Sequence, residues 1–393
     1  MTRILTLTAL CALAASPTFA GGWETGKLDT SFLYEDGNYV ELSYGSLDYS
    51  VNGTTQAGVT HPMAKDQTRR SISGKFKIGK LDVGITTFGS GAIQMDGQNP
   101  NAQAPNSAPG CTPVAALSFN CVSSVVPSAD VKLDTQAILT RYSFSDNFSV
   151  TAGIREAKLK SSTVETLAAV YAINSTSKTG MVYGVAYEIP EYALRAEVVR
   201  SEAISMGLTG TATRTGLGTF DLDSTAALGV PEATTLKIQT GIAEDTLLMA
   251  SAHKVKWSSS QIVVDVAGVP NIAGVIASDS LNTGSDFAST TSYSLGLGRK
   301  LSENTSASLT YSWEDGSGAS ATSPFTMSNG SKTLSIGVKH TIDALSISGG
   351  LSYTKAGDVD VTHMATPTIA SGYTASYKGN SVTAFGLKVG YSF

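Results

Sequence analysis

The sequence is short of charge. Asp, Glu, Lys and Arg together make up 15% of its 393 residues, against roughly 25% in soluble globular domains. Such a composition does not suit a surface that faces water on all sides. No run of about 18 apolar residues occurs, so a transmembrane helix is excluded. Basic blocks and aromatic-basic stripes are absent too, and the net charge is −5, so nucleic acid is not an expected partner. Only four histidines occur, at 61, 253, 340 and 363. They form no His-Glu-x-x-His motif, and the cysteines form no Cys-x-x-Cys pair, so no metal or other cofactor is expected. Ser328-Asn329-Gly330 has the local order of an outer-membrane phospholipase site. That site needs a His two residues before the Ser, where Thr326 stands. No enzyme activity is expected.

Cysteine is scarce, with three in all. Cys11 lies in residues 1–20, which read as a secretory leader. Arg3 gives a positive start, Ile4 to Ala15 an apolar stretch too short to span a bilayer, and Pro17-Thr18-Phe19-Ala20 a small-residue cleavage site. An exported chain meets an oxidising compartment. Cys111 and Cys121, in a Pro/Asn/Gly-rich stretch, are expected to close a short loop as a disulfide, the alternative being two free thiols. Closure of such a loop stabilises by roughly 3 kcal/mol where unstrained.

What the sequence does have is alternation. In VTAFGLKVGYSF, Val382 to Phe393, the residues Phe385, Leu387, Val389, Tyr391 and Phe393 fall on one side of an extended strand. Ala384, Gly386, Lys388, Gly390 and Ser392 fall on the other. The pattern recurs in fourteen candidate strands: about 38–51, 68–79, 80–95, 131–143, 147–161, 177–188, 191–205, 232–241, 246–258, 288–300, 304–315, 330–342, 344–356 and 380–393. Their connectors alternate strictly between short and long. An even strand number with short turns at one end and long loops at the other predicts a 14-stranded antiparallel transmembrane β-barrel. Closure is required because hydrocarbon offers no partner to an open sheet edge. The expected lipid face carries Met181, Tyr183, Val185 and Tyr187, then Tyr293, Leu295 and Leu297, then Leu309, Tyr311 and Trp313, then Leu345, Ile347, Leu351 and Tyr353. Tyr and Trp near strand ends suit the interfacial girdles. The domain organisation expected is a leader (1–20), a short N-terminal segment (21–37) and the barrel (38–393).

Four stretches carry a resemblance. Pro231 to Trp257 (PEATTLKIQTGIAEDTLLMASAHKVKW) and Gly180 to Glu202 (GMVYGVAYEIPEYALRAEVVRSE) resemble mid-barrel hairpins of the FadL/TodX family of outer-membrane hydrophobic-compound transporters. Phe76 to Gly91 (FKIGKLDVGITTFGSG) resembles its second-to-third strand hairpin, and Leu33 to Gly45 (LYEDGNYVELSYG) the first strand of a divergent branch. The resemblance implies an outer-membrane location in a Gram-negative bacterium and passive uptake of long-chain fatty acids or other hydrophobic molecules. It also implies an N-terminal plug, a ligand site in the barrel, an outer groove between the third and fourth long loops, and sideways exit through a kink in the wall. The expected partners are those molecules, membrane lipid and lipopolysaccharide, and the barrel-insertion machinery acting through the terminal aromatic strand, with the chain as a monomer. The chain departs from the family pattern in having only Gly21 to about Gly37 before the first strand and no Asn-Pro-Ala segment. A partly open lumen, or one closed by inward-folded loops such as 96–130, is therefore expected.

Alternation also selects candidate site residues. Lys75, Lys77, Arg155, Arg195, Lys237, Lys254, Lys256, Lys339 and Lys388 are assigned to the lumen, with fewer acids, Glu41, Glu188 and Glu197. A cationic lumen attracts an anionic head group, while Phe88 and Leu248 are assigned to the tail. The other reading of these bases is structural ion pairing. In SSTVETLAAVYAIN, Ser162 and Glu165 have capping-box spacing. Val164, Leu167, Ala168 and Tyr171 share one face of an expected short amphipathic helix at the mouth. The fourth long loop adds Met206, Leu208, Leu217, Phe220 and Leu222. A general porin for small hydrophilic solutes and a surface adhesin are the alternatives.

Overall fold

The computed structural model describes residues 22–55, 60–97, 128–165, 169–214, 218–263, 285, 287–316, 320–321, 325–363 and 373–393. The expected leader (1–20), Cys111, Cys121, Leu167, Ala168 and Leu217 lie outside them.

Fourteen antiparallel strands close into a barrel. They are β1 (Tyr39–Ser50), β2 (Gln67–Ile78), β3 (Leu81–Asp96), β4 (Ser128–Ser143), β5 (Phe148–Leu159), β6 (Thr176–Ile189), β7 (Leu194–Ser201), β8 (Ala233–Ala243), β9 (Thr246–Val255), β10 (Thr290–Lys300), β11 (Thr305–Glu314), β12 (Ser331–Ile342), β13 (Leu345–Ala356) and β14 (Ser381–Ser392). Each pairs with its neighbours in sequence. β1 closes the ring by pairing with β14 from Tyr39↔Ser392 to Ser50↔Ser381. At the seam, Asn38 and Phe393 exchange backbone hydrogen bonds of 3.3 and 3.0 Å, so the final aromatic sits on the closing pair.

The short turns reverse tightly. Gly79, Ala193, Asp245 and Asp343 adopt positive φ, from 49 to 61°, the left-handed region that tight reversals require. At the other end the long loops build further sheet. Ser162–Glu165, Ala169–Ile173, Gly210–Arg214 and Gly218–Asp221 extend the wall, and two smaller sheets knit the remaining loops. Ser162–Glu165 and Ala169–Ile173 form a hairpin in which Val164 faces Tyr171. The short helix expected there is therefore not formed. β-branched Thr163, Val164, Val170 and Ile173 favour extended backbone, and the Ser162 hydroxyl donates to the Lys160 carbonyl instead of capping a helix. Val164 and Tyr171 are buried in an apolar cluster under the loops that also holds Met206, Leu208 and Trp257. Phe220 and Leu222 pack against it.

The outer face is apolar as expected: Tyr183, Val185, Leu295, Leu309, Ile336, Leu351 and Phe385 are exposed on the barrel exterior. Trp313 stacks between Tyr293 and Tyr311 at ring distances of 5.4 and 5.8 Å. One strand is inverted relative to the sequence reading. In β9, Leu247, Met249, His253 and Val255 are buried, while Lys254 is exposed, as is Lys256 just beyond the strand. A one-residue shift of phase turns every side chain of a strand over. Leu248, Lys254 and Lys256 thus face outward, Leu248 opposite Leu297 of β10, and Lys256 pairs with Glu232 at 2.8 Å.

Candidate functional site in the barrel lumen

Residues 22–37 run inside the barrel. At the short-turn end, Ser31–Tyr34 form a single 3-10 turn whose side chains are buried. The wall makes room for it at Gly84 of β3, where an added Cβ would lie 2.5 Å from Leu33 and 2.6 Å from Phe32. Lys75 of β2, only 1% exposed, donates to the Leu33 carbonyl and pairs with Asp82, both at 3.2 Å. Arg141 of β4 bridges Asp82 at 3.2 Å and Glu188 at 2.8 Å. The Tyr34 ring is sandwiched between the guanidinium groups of Arg141 and Arg195, at 4.1 and 4.2 Å. Its hydroxyl donates to Glu197, which also accepts from Thr30 at 2.8 Å. Burial and the Glu197 charge push the Tyr34 hydroxyl well above its usual pKa, so it stays a donor.

Further up, the segment is held by charge. Asp29 accepts from Lys237 of β8 at 2.8 Å. Burial alone would raise the Asp29 pKa, but Lys237 and Lys388, with the hydrogen bonds from Lys237 and Ser31, hold it far below the carboxylate range. Lys27 donates to Ser292 of β10 at 3.0 Å. Burial lowers its pKa against the opposing pull of Glu24 and Glu314. Glu24 meets the buried His253 at 2.9 Å.

The same segment lies against a defect in the wall. β3 carries a bulge between Gly89 and Gly91. The extra residue shifts the phase: Asp82, Gly84, Thr86 and Phe88 face inward before it, Gly91, Ile93 and Met95 after it. The β2–β3 ladder stops at Ser71↔Phe88, so among the described residues Gln67–Arg70 has no ladder partner in β3. At the bulge β3 is instead paired with residues 23–26, and beyond it with residues 63–65. The Thr25 and Gly26 amides donate to the Ser90 carbonyl at 2.9 and 3.3 Å, and the Ala92 amide donates to the Trp23 carbonyl at 2.9 Å.

Between segment and wall lies a cavity of about 290 Å³, bordered by Lys27, Arg69, Phe88, Met249, His253 and Lys388 among others. Ser43, Ser73, Ser251, Ser294, Thr310 and Ser312 give much of the remaining wall a hydroxyl lining. Its charges are unevenly matched. Lys388 pairs with Glu41 at 3.1 Å and Lys237 with Asp29. Among the described residues no carboxylate forms an ion pair with Lys27, Arg69 or Arg195. The Arg69 guanidinium is buried beside the Tyr49 hydroxyl, with no carboxylate against it among the described residues.

Of the basic residues assigned to the lumen, Arg195, Lys237 and Lys388 border this cavity. Lys75 is locked in the ion-pair network beneath it, and Arg155 donates to the carbonyls of Glu202 and Pro231. Lys339 is half-buried on the inner face of β12, and Lys77 is exposed near the short turn. Phe88 lies in the cavity. Arg69 and Arg141 were missed, although strand phase places both inward. The charged residues of the N-terminal segment, Glu24, Lys27 and Asp29, gave no periodic signal that could have found them.

No family model and no curated protein sequence matches the chain. Solved structures do. A FadL homologue of Pseudomonas aeruginosa matches with TM-score 0.71 at 13% identity, over 97% of this chain and 98% of that one. The toluene transporter TodX of Pseudomonas putida matches with TM-score 0.62 at 12% identity over the same shares. The toluene transporter TbuX of Ralstonia pickettii matches with TM-score 0.58 at 11% identity, again over 97% and 98%. The chain is a transmembrane β-barrel with residues 22–37 inside the lumen. Its fold, across nearly the whole length, is that of the FadL and TodX channels. These structural neighbours are channels and transporters, not enzymes.

Proposed function

We propose that the chain is an outer-membrane channel for passive uptake of hydrophobic compounds, with residues 22–37 as its plug. The carrying observation is the cavity, where unmatched cations stand beside apolar side chains and next to a wall seam covered by the plug. Its hydroxyl groups and the buried Arg69 favour an amphipathic substrate with an anionic head, of the long-chain fatty acid kind. A plain hydrocarbon, such as the toluene named for TodX and TbuX, leaves those groups unmatched. Arg69, Lys27 and Arg195 receive the carboxylate, and Phe88 and Met249 contact the tail. The apolar cluster around Val164, Tyr171, Met206 and Phe220 lies beneath the loops where such a molecule arrives. The seam between Gln67–Arg70 and β3 is the sideways exit, because at the bulge β3 bonds to residues 23–26 in place of β2, and the wall closes again only where Met63 and Lys65 bond Asp96 and Gln94.

Uptake by proteoliposomes tests this directly. Labelled oleate enters faster than through protein-free membranes, and a disaccharide does not. Arg69→Gln lowers binding of the acid roughly tenfold, as loss of a charge-assisted contact predicts, with little effect on the matching alcohol. Passage of the sugar without oleate identifies a general porin. Passage of neither favours the adhesin.

A further inference from the structure

Among the contacts that hold the N-terminal segment, one involves a group with two usable protonation states. His253 is only 5% exposed, and both its ring nitrogens are engaged. Nε2 lies 2.9 Å from Glu24 Oε2, and Nδ1 lies 2.8 Å from Thr235 Oγ1 on the neighbouring strand β8. A neutral imidazole protonated on Nε2 donates to Glu24 and accepts from the Thr235 hydroxyl. A protonated imidazole donates from both nitrogens, with the threonine oxygen accepting. The link therefore survives in either state while Glu24 is ionised. It is charge-assisted in both, and stronger in the second, where both partners are charged.

Its position gives this link a consequence. Glu24 forms an isolated bridge with Gly91, directly at the bulge. The backbone bonds of Trp23, Thr25 and Gly26 to β3 lie within two residues of it. Trp23 also packs on Trp257, with ring centroids 6.4 Å apart. The charged groups facing the pair come from several elements: Lys27 on the segment, Arg69 on β2, Arg155 on β5, Lys237 on β8 and Glu314 on β11. Burial alone would raise the Glu24 pKa, but His253, Lys27 and Arg155 hold it below the usual carboxylate value.

We infer that the Glu24–His253 pair, backed by Thr235, is the latch that docks residues 23–26 across the bulge of β3 and so keeps the seam beside β2 covered. That uncovering the seam speeds uptake rests on the proposed function; that the pair docks the segment does not.

Amide hydrogen exchange of the full chain in detergent micelles tests the latch. Glu24→Ala and His253→Ala each lower the protection factors of the Thr25, Gly26 and Ala92 amides by about tenfold, as expected for loss of one charged hydrogen bond. The double variant loses no more than either single one, because both remove the same contact. Glu24→Gln, which keeps an oxygen for the Nε2 proton, restores most of the protection at neutral pH. Thr235→Val is a milder variant that weakens protection without removing either partner. Unchanged protection in both single variants, or losses that multiply in the double one, overturns the latch. Oleate uptake is read in parallel: faster uptake by Glu24→Ala connects the latch to passage. A wild type that carries no oleate overturns the proposed function while the exchange results stand.

Discussion

Asp29 and Lys237 meet at 2.8 Å although 208 positions separate them in the chain. One belongs to the segment before the first strand, the other to the inner face of β8. The contact fixes the segment in the lumen by charge rather than by sheet pairing. It also makes that docking pH-dependent. The carboxyl is held below its ordinary value in the folded protein, so it adds stability above the unfolded pKa of about 4 and loses it as pH falls through the folded value.

Asp29→Asn is expected to weaken the segment's docking by about 1–3 kcal/mol at neutral pH, a range discounted from a fully buried pair because both groups are partly exposed. Limited proteolysis within residues 22–37 reads this. In the wild type cleavage accelerates only below about pH 4. In Asp29→Asn it is already fast at neutral pH and changes less with acid.

Tyr34 offers a way to separate two forces. Tyr34→Phe removes the hydroxyl bond to Glu197 but keeps the ring between Arg141 and Arg195. It is expected to cost about 1 kcal/mol. Tyr34→Leu removes the cation–π contacts as well and is expected to cost about 2–3 kcal/mol more. Denaturant titration followed by heat-modifiable gel mobility orders the three proteins. Equal losses in both variants would show that the arginines gain nothing from the ring.

Gly84 is a position where size alone decides. Any Cβ there meets Leu33 and Phe32 at about 2.5 Å, far inside contact distance. Gly84→Val is expected to drive the Ser31–Tyr34 turn from its site while the fourteen strands still form. Single-channel recordings would show a higher or noisier conductance than wild type, with strand content by circular dichroism unchanged. A silent channel with wild-type protease resistance contradicts it.

The outer face answers to lipid. Ile336 lies in the middle of β12 and is 55% exposed. Ile336→Arg is expected to destabilise the folded barrel in bilayers by about 2–4 kcal/mol. The inward neighbour Ser335, changed to Arg, avoids that cost. Unfolding titrations in lipid vesicles compare the two.

Much of this architecture was legible because a barrel wall repeats one rule. Lipid outside and a lumen inside impose period two, and the outward sets of β6, β10, β11, β13 and β14 follow it. The rule failed where both faces of a strand are mixed. In β9 the inner face carries Leu247 and Met249 toward the segment and Val255 under the loop cluster, while the outer face carries two alanines and Lys254. Hydrophobicity does not mark its phase there. The hairpin at 162–173 misled for another reason. Val164 and Tyr171 fit a helical spacing and also face each other across two short strands, and only the wall beneath chooses between the two.

The sequence by itself determined the strand number, the sorting of short and long connectors and the closure of the sheet, since each follows from local alternation and from the need to satisfy every backbone group in hydrocarbon. Tertiary structure alone decided what fills the barrel. The partners of Glu24, Lys27 and Asp29 are set by where a non-repeating segment settles among strands far away in sequence. Burial and charge matching, not periodicity, select that place.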